Sequence, residues 1–210
     1  MPKLLLATRS ADKVREVREI LAGAGVEVVS LADAHVGWRS AEEELEEHDS
    51  FLANARIKAE YFSKLTGLPT VADDSGLEVL ALGGQPGVRS KRFAPDSGGL
   101  SGKALDEANN AELLRRLRGA PAAQRRANYV CVAVLIRRTG GLPEAFTGRC
   151  WGSVLEAPKG SGGFGYDPLF FHEELGKTFG EAAPEEKHRV SHRGAAFRQL
   201  ASALAAEPLR

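Results

Sequence analysis

Lys3-Leu4-Leu5-Leu6-Ala7 is a short, continuous apolar run of the kind a buried strand carries. The residues after it decide the fold class. Thr8 to Asp12 is polar and reads as a loop. Val14, Val17, Ile20 and Leu21 then recur at helical spacing until Gly23 and Gly25 stop the helix. Val26 to Leu31 is a second apolar run. Strand, loop, helix, strand is the opening of an α/β fold.

The same signals continue along the chain. Trp38 to Asp49 is acidic and irregular, and Ser50 caps a helix with Phe51, Ala55, Ala59 and Phe62 on one face. Pro69 to Ala72 is a short strand running into Asp73-Asp74-Ser75-Gly76. Gly83 to Gly99, rich in Gly and Pro, is loop, and Leu105 to Leu117 is helical. Tyr129 to Ile136 is a continuous apolar strand, with Ala145 to Val154 as its antiparallel neighbour across Gly140-Gly141. A glycine loop from Lys159 to Asp167 precedes the strand Leu169-Phe170-Phe171. Pro184 to His188 starts a short helix, and His192 to Ala205 forms the last one. The expected α/β architecture is a mixed central β-sheet flanked by helices. Without repeats or a separating linker, residues 1–210 read as one domain.

Lys+Arg and Asp+Glu both count 28, so the net charge is zero. A binder of nucleic-acid polymers is usually basic, so that class loses weight, while a local basic pocket for a small anion does not. Two cysteines, Cys131 and Cys150, sit in apolar segments and read as buried thiols rather than a disulfide framework. No apolar run approaches the ~20 residues of a membrane span, and the N-terminus reads as a strand, not a signal peptide. No membrane partner and a cytoplasmic location are therefore expected.

Asp73-Asp74-Ser75-Gly76 is the sharpest local feature. Two carboxylates at the end of a buried strand repel each other, and a cation relieves the repulsion. Magnesium suits such a place, because one or two carboxylates plus phosphate oxygens suffice for it. Gly76 allows a sharp turn there. The run Glu42-Glu43-Glu44-Leu45-Glu46-Glu47 offers a further ligand or base, although most charge runs are solvated faces. Thr8 to Lys13 leads into a helix, where backbone N–H groups and the positive helix end favour anions. Asn54 and Lys58 are four apart on one helix face and can point at one site. Lys187, His188, Arg189, His192 and Arg193 form a cationic cluster suited to phosphate or a carbonyl oxygen. In Gly162-Gly163-Phe164-Gly165-Tyr166-Asp167-Pro168, Phe164 can stack on a planar base and Asp167 can accept from ring N–H groups. HExxH, CxxC and GxSxG are all missing, which disfavours a zinc centre and a covalent hydrolase. The residues themselves lead to a nucleotide-handling phosphate enzyme.

Six segments also occur in an order that resembles one family. They are Leu6-Ala7-Thr8 with Lys13; Ser50 to Ala55 with Lys58-Ala59; Ala72 to Leu77; Leu82-Gly83-Gly84 with Pro86-Gly87-Val88 and Ser90; Gly163 to Pro168; and Glu185-Glu186-Lys187 with Ser191-His192-Arg193. From Lys3 to Leu204 the chain resembles the inosine-triphosphate pyrophosphatases, which act on non-canonical purine triphosphates such as ITP, dITP and XTP. The resemblance implies a long mixed sheet, two lobes with an active-site cleft, and a homodimer. It implies cleavage of the α–β phosphate bond, giving a nucleoside monophosphate and pyrophosphate, with Mg²⁺ as cofactor. By motif, Asp74 is metal ligand and general base, Asp73 stands beside it, and Ser75 contacts substrate. Thr8, Arg9, Ser10, Ala11, Asp12, Lys13 and Lys58 hold the triphosphate. Phe164, Gly165, Tyr166, Asp167, Lys187, His192 and Arg193 surround the base.

The chain departs from the family pattern twice. Arg9-Ser10 stands where a Gly-Asn pair is usual. Ahead of Ser50-Phe51, Glu46-Glu47-His48-Asp49 replaces the family's Glu-Thr-Gly, so Glu46 is the match for the second metal-site carboxylate, with Glu43 and Glu44 as alternatives. Two other readings compete: a Maf-type pyrophosphatase for modified pyrimidine nucleotides, and a nucleotide-binding regulator without turnover. Two adjacent buried carboxylates give a pure binder little, which weighs against the regulator.

Overall fold

A computed structural model describes residues 1–95 and 97–209. Asp96, within the expected Gly83–Gly99 loop, and Arg210, the end of the expected domain, lie outside the described residues. β1 (Lys3–Leu6) carries three leucines, all fully buried. α1 (Ala11–Ile20) crosses over to β2 (Glu27–Ser30), which pairs with β1 in parallel, Lys3 opposite Glu27 and Leu6 opposite Ser30. Parallel neighbours need such a crossover, and the helix supplies it. After α2 (Phe51–Thr66), β3 (Thr70–Val79) also pairs with β1 in parallel, Leu5 opposite Thr70.

The rest of the chain adds α3 (Gly102–Arg116), β4 (Arg126–Ile136), β5 (Glu144–Val154), β6 (Phe170–His172), β7 (Lys177–Thr178), α4 (Pro184–Val190) and α5 (His192–Ala206). The strand order is β2-β1-β3-β4-β5-β6-β7 in a seven-stranded sheet, antiparallel at β5–β6 and β6–β7. It is a mixed sheet, as the alternation of helices and strands predicts. Among the described residues no helix is long and apolar enough to cross a membrane.

The chain groups into two compact units. One holds Met1–Asp74, Cys131–Gly148 and the C-terminal stretch from His192; the other holds Ser75–Val130 and Arg149–Ser191. In the first, Leu4, Leu6, Val17, Leu21, Leu135, Phe197 and Leu200 share one core. Each such fully buried side chain is worth about 1.5–3 kcal/mol against exposure. At Gly148 an added Cβ would lie 1.9 Å from the His192 carbonyl, so glycine there lets the start of α5 close onto β5. In the second unit, Leu77, Leu113 and Leu117 pack with Tyr129, Phe170 and Phe179, and the Tyr129 and Phe170 rings are 4.7 Å apart. Cys131 and Cys150 are free and buried.

The structure differs from the sequence reading in several places. β3 does not stop at Ala72: Asp73-Asp74-Ser75-Gly76 lies inside the strand, which runs on to Val79, so Gly76 makes no turn. The carboxylates are tolerated there because successive strand residues face opposite ways and each finds its own partners. The acidic stretch expected to be irregular contains a 3-10 helix, Ser40–Glu46, and the expected loop contains another, Gly87–Arg92. β7, only two residues long, carries no period that a sequence could show.

Candidate active site

In the first unit α1, α2, β3 and α5 bring together a set of charges. Ser10 caps α1 by accepting from the Lys13 backbone N–H at 3.3 Å, and Thr8 Oγ1 accepts from the Ser10 N–H at 3.2 Å. That cap sets the first turn, from which Lys13 reaches Asp73, 3.0 Å from Oδ2. Ser50 caps α2 in the same way, accepting from the Ala53 N–H. α2 buries Phe51, Ala55, Ala59 and Phe62, and among the polar side chains buried with them are Asn54 and Lys58. Asn54 Nδ2 donates to Asp74 Oδ2 at 2.9 Å, and Lys58 Nζ donates to the Asp73 carbonyl at 2.7 Å. Asn54 is itself fixed by His48, whose N–H it accepts and whose carbonyl it donates to.

The adjacent aspartates live in different environments. Asp73 is fully buried. Burial opposes its ionisation, but Lys13, Arg193 and Lys58 outweigh that and hold its carboxyl well below the usual range. Arg193 places one nitrogen 3.2 Å from Asp73 and another 2.7 Å from Glu16. Asp74 is pushed the other way: burial raises it, Glu46 adds to the rise, and Lys58, Lys13 and Asn54 offset only part. Burial would lower the Lys58 ammonium, yet Glu46, Asp74 and Asp73 together raise it. Glu46 is 2.5 Å from Lys58 Nζ, whereas Glu43 and Glu44 are exposed.

Other residues expected to hold the triphosphate are engaged locally, and His192, expected beside the base, is placed in this unit too. The Arg9 guanidinium bonds Glu42 and the carbonyls of Val36 and Gly37. Asp12 pairs with Arg15 on the surface, and Ala11 is the exposed first residue of α1. His192 is buried at the start of α5.

The second unit holds the remaining residues. Ser75 is half-buried in β3. Asp167 Oδ2 accepts from the Phe164 N–H at 2.8 Å and from Lys187 Nζ at 2.5 Å. The Lys187 ammonium also lies over the Phe164 ring, 4.9 Å from its centroid. Tyr166 donates its hydroxyl to the Ser90 carbonyl, which commits it to the fold. Gly163 has φ 69°, and a Cβ there would lie 2.1 Å from Asp167 Oδ2, so glycine lets that carboxylate fold back under Phe164.

Three residues that matter here were not singled out by sequence, and a fourth, Glu42, was read only as one member of an acidic run. Glu16 lies three after Lys13, on the same face of α1, and that spacing was the available signal. Glu42 anchors Arg9 and was hidden in the acidic run. Asp106 and Asn110 contact Gly165 from α3, a pairing no local pattern shows.

Among the described residues no group of three or more His, Cys, Asp or Glu side chains is arranged to hold a metal ion. Magnesium does not need one, since one or two carboxylates complemented by phosphate oxygens and water complete its shell. Asp74 and Glu46 fit that requirement: they are hard oxygen donors, and Glu46 opposes the ionisation of Asp74 in the way a bound cation would relieve.

The model of the Ham1 family matches residues 4–203. The dITP/XTP pyrophosphatase of Thermus thermophilus is 48% identical over 201 residues, covering 96% of this chain and 91% of that protein. That of Mannheimia succiniciproducens is 42% identical, covering 97% of this chain and 98% of its own. Among solved structures, a HAM1 protein from Coxiella burnetii superposes with a TM-score of 0.83 at 33% identity, covering 98% of this chain and 100% of that one.

Proposed function

The chain belongs to the Ham1 family, and from that membership we propose how its residues work. It is a hydrolase of non-canonical purine nucleoside triphosphates, a pyrophosphatase that removes them from the nucleotide pool. The observation that carries the site assignment is the placement, by one face of α2, of Asn54 on Asp74 and of Lys58 on Asp73 and Glu46.

Asp74 is the general base in this reading. Burial raises its carboxyl in the metal-free protein, and Asn54 orients it by donating to one oxygen. Lys13 and Lys58 supply positive charge for the triphosphate, and the capped start of α1, with Thr8 and Ser10, adds backbone N–H donors. Asp73 holds Lys13 and Arg193 rather than reacting. Asp74 and Glu46 would hold a Mg²⁺ ion, which would supply positive charge to offset that of the leaving pyrophosphate. In the second unit Phe164 offers a stacking face and Lys187 a donor for a purine 6-keto oxygen. An adenine amino group offers that donor no acceptor. Residues 1–210 act as one domain in this reading, and the resemblance carries a homodimer, which sedimentation velocity tests.

The deciding experiment is a product assay with ITP, XTP, dITP, ATP and GTP, extended to modified UTP and dTTP, in the presence of Mg²⁺. Pyrophosphate is the expected product, from the first three substrates. Release of orthophosphate, equal turnover of ATP, or a preference for modified pyrimidine triphosphates would overturn the reading.

A further inference from the structure

The loop that carries Phe164 is braced by a helix with no part in the functions assigned so far. Asp106 and Asn110 are four apart on α3 and therefore share a face. Asp106 Oδ2 accepts the Gly165 N–H at 2.7 Å, and Asn110 Nδ2 donates to the Gly165 carbonyl at 3.0 Å. Peptide groups are planar, so a hydrogen bond to one orients the whole plane. The plane before Phe164 is held by Asp167, through the Phe164 N–H. The plane after Phe164 is held by Asp106, and the next by Asn110. Fixing the planes on both sides of one Cα fixes its φ and ψ, and with them the direction of its Cα–Cβ bond and the rotamers open to its side chain. Gly165 has φ 62°, and a Cβ there would meet nothing within 4 Å. The glycine thus serves the left-handed backbone that presents both its polar groups to α3.

We propose that Asp106 and Asn110 are positioning residues for base recognition: they hold the backbone of Phe164 and Gly165 so that the Phe164 ring meets the purine at a fixed angle. The inference rests on the proposal that Phe164 stacks on the base. Neither α3 side chain touches substrate, and their effect passes through the Gly165 peptide. A displacement well under 1 Å matters in such a setting, because contacts to a ligand are lost steeply with distance.

The test is calorimetric binding of IMP and, separately, of inorganic pyrophosphate, with kcat and KM for ITP, on the wild type and on Asp106→Ala, Asp106→Asn, Asn110→Leu and Phe164→Ala. Asp106→Ala and Asn110→Leu should each weaken IMP binding and raise KM roughly fivefold to tenfold, the range expected for one lost hydrogen bond. Pyrophosphate affinity and kcat should stay within about twofold. Asp106→Asn keeps an acceptor oxygen facing the Gly165 N–H and should restore the wild-type KM. Wild-type IMP affinity in Asp106→Ala and Asn110→Leu, with Phe164→Ala impaired, overturns this proposal and leaves the stacking assignment standing. Equal loss in Asp106→Ala and Asp106→Asn overturns it too, because the acceptor would then not be what matters. Unchanged IMP binding in Phe164→Ala overturns the stacking assignment and this proposal with it.

Discussion

Arg193 places a guanidinium nitrogen 3.2 Å from Asp73 Oδ2, joining two side chains 120 residues apart in the chain and both shut away from water. Glu16 takes a second nitrogen of the same guanidinium, and Lys13 approaches the same Asp73 oxygen. This is a buried ion network, and its members depend on one another. Removing one partner from such a network leaves a buried charge uncompensated, at a cost of ~3–5 kcal/mol. Asp73→Asn should therefore lose about that much stability in urea unfolding monitored by circular dichroism. A loss below about 1 kcal/mol would show that the network adds little.

Asp74 should behave in the opposite sense, and pH reveals it. Its folded carboxyl titrates above the unfolded value of about 3.9. The folded state then binds its proton more tightly, so stability falls as pH rises from the unfolded value through the folded one. For Asp73 the folded value is depressed, so its contribution is present above the unfolded value and lost as pH falls through the folded one. In metal-free protein, Asp74→Asn should gain stability at neutral pH, and the gain should vanish below about pH 3.9. Turnover should be abolished in the same variant. Urea unfolding from pH 3 to 8 in the presence of a chelator checks this, and an Asp74→Asn protein less stable than wild type at pH 7 would contradict it.

Much of this arrangement was legible in the sequence, for identifiable reasons. β1 and β2 were readable as short continuous apolar runs, and α1 because its apolar residues recur at helical spacing. The shared face of Asn54 and Lys58 was readable because helical spacing is local, and both side chains do arrive at the Asp73-Asp74 pair. The strand through Asp73-Asp74 was not readable, because local pattern gives two aspartates a turn reading and only the cations of α1, α2 and α5 make a strand tolerable there. The cluster Lys187, His188, Arg189, His192, Arg193 looks like one group in sequence. The chain passes from one compact unit to the other between Ser191 and His192, so Lys187 answers to Asp167 and Arg193 to Asp73 and Glu16. Charge proximity in sequence says nothing about which way each side chain turns.

Metal dependence should separate Glu46 from its neighbours. A chelator should abolish turnover and Mg²⁺ restore it. Glu46→Gln should raise the Mg²⁺ concentration for half-maximal rate by at least about tenfold, in line with the loss typical when a metal site is disturbed. Glu43→Gln and Glu44→Gln, both at exposed positions, should leave it unchanged. A Mg²⁺ titration of ITP turnover measures all three, and an effect confined to Glu43→Gln or Glu44→Gln would reassign the ligand.

Lys187 offers the sharpest test of purine selectivity, provided its structural duty is removed first. Its ammonium lies 2.5 Å from Asp167 and over the Phe164 ring, and Lys187 and Asp167 are both almost fully buried. Lys187→Met alone removes the ammonium that faces the buried Asp167 carboxylate, so part of any loss of activity will be a loss of fold. The double variant Lys187→Met with Asp167→Asn removes both charges, and should recover most of the stability lost in the single variant. Selectivity should not recover. A donor aimed at a 6-keto oxygen favours that purine over one with an amino group by roughly 1–3 kcal/mol, so the ratio of kcat/KM for ITP over ATP should fall about fivefold to 150-fold in both variants. Because the Lys13 and Lys58 cluster is untouched, pyrophosphate affinity should hold in the double variant. A double variant that is stable and still prefers ITP as strongly as the wild type would place the selective donor elsewhere.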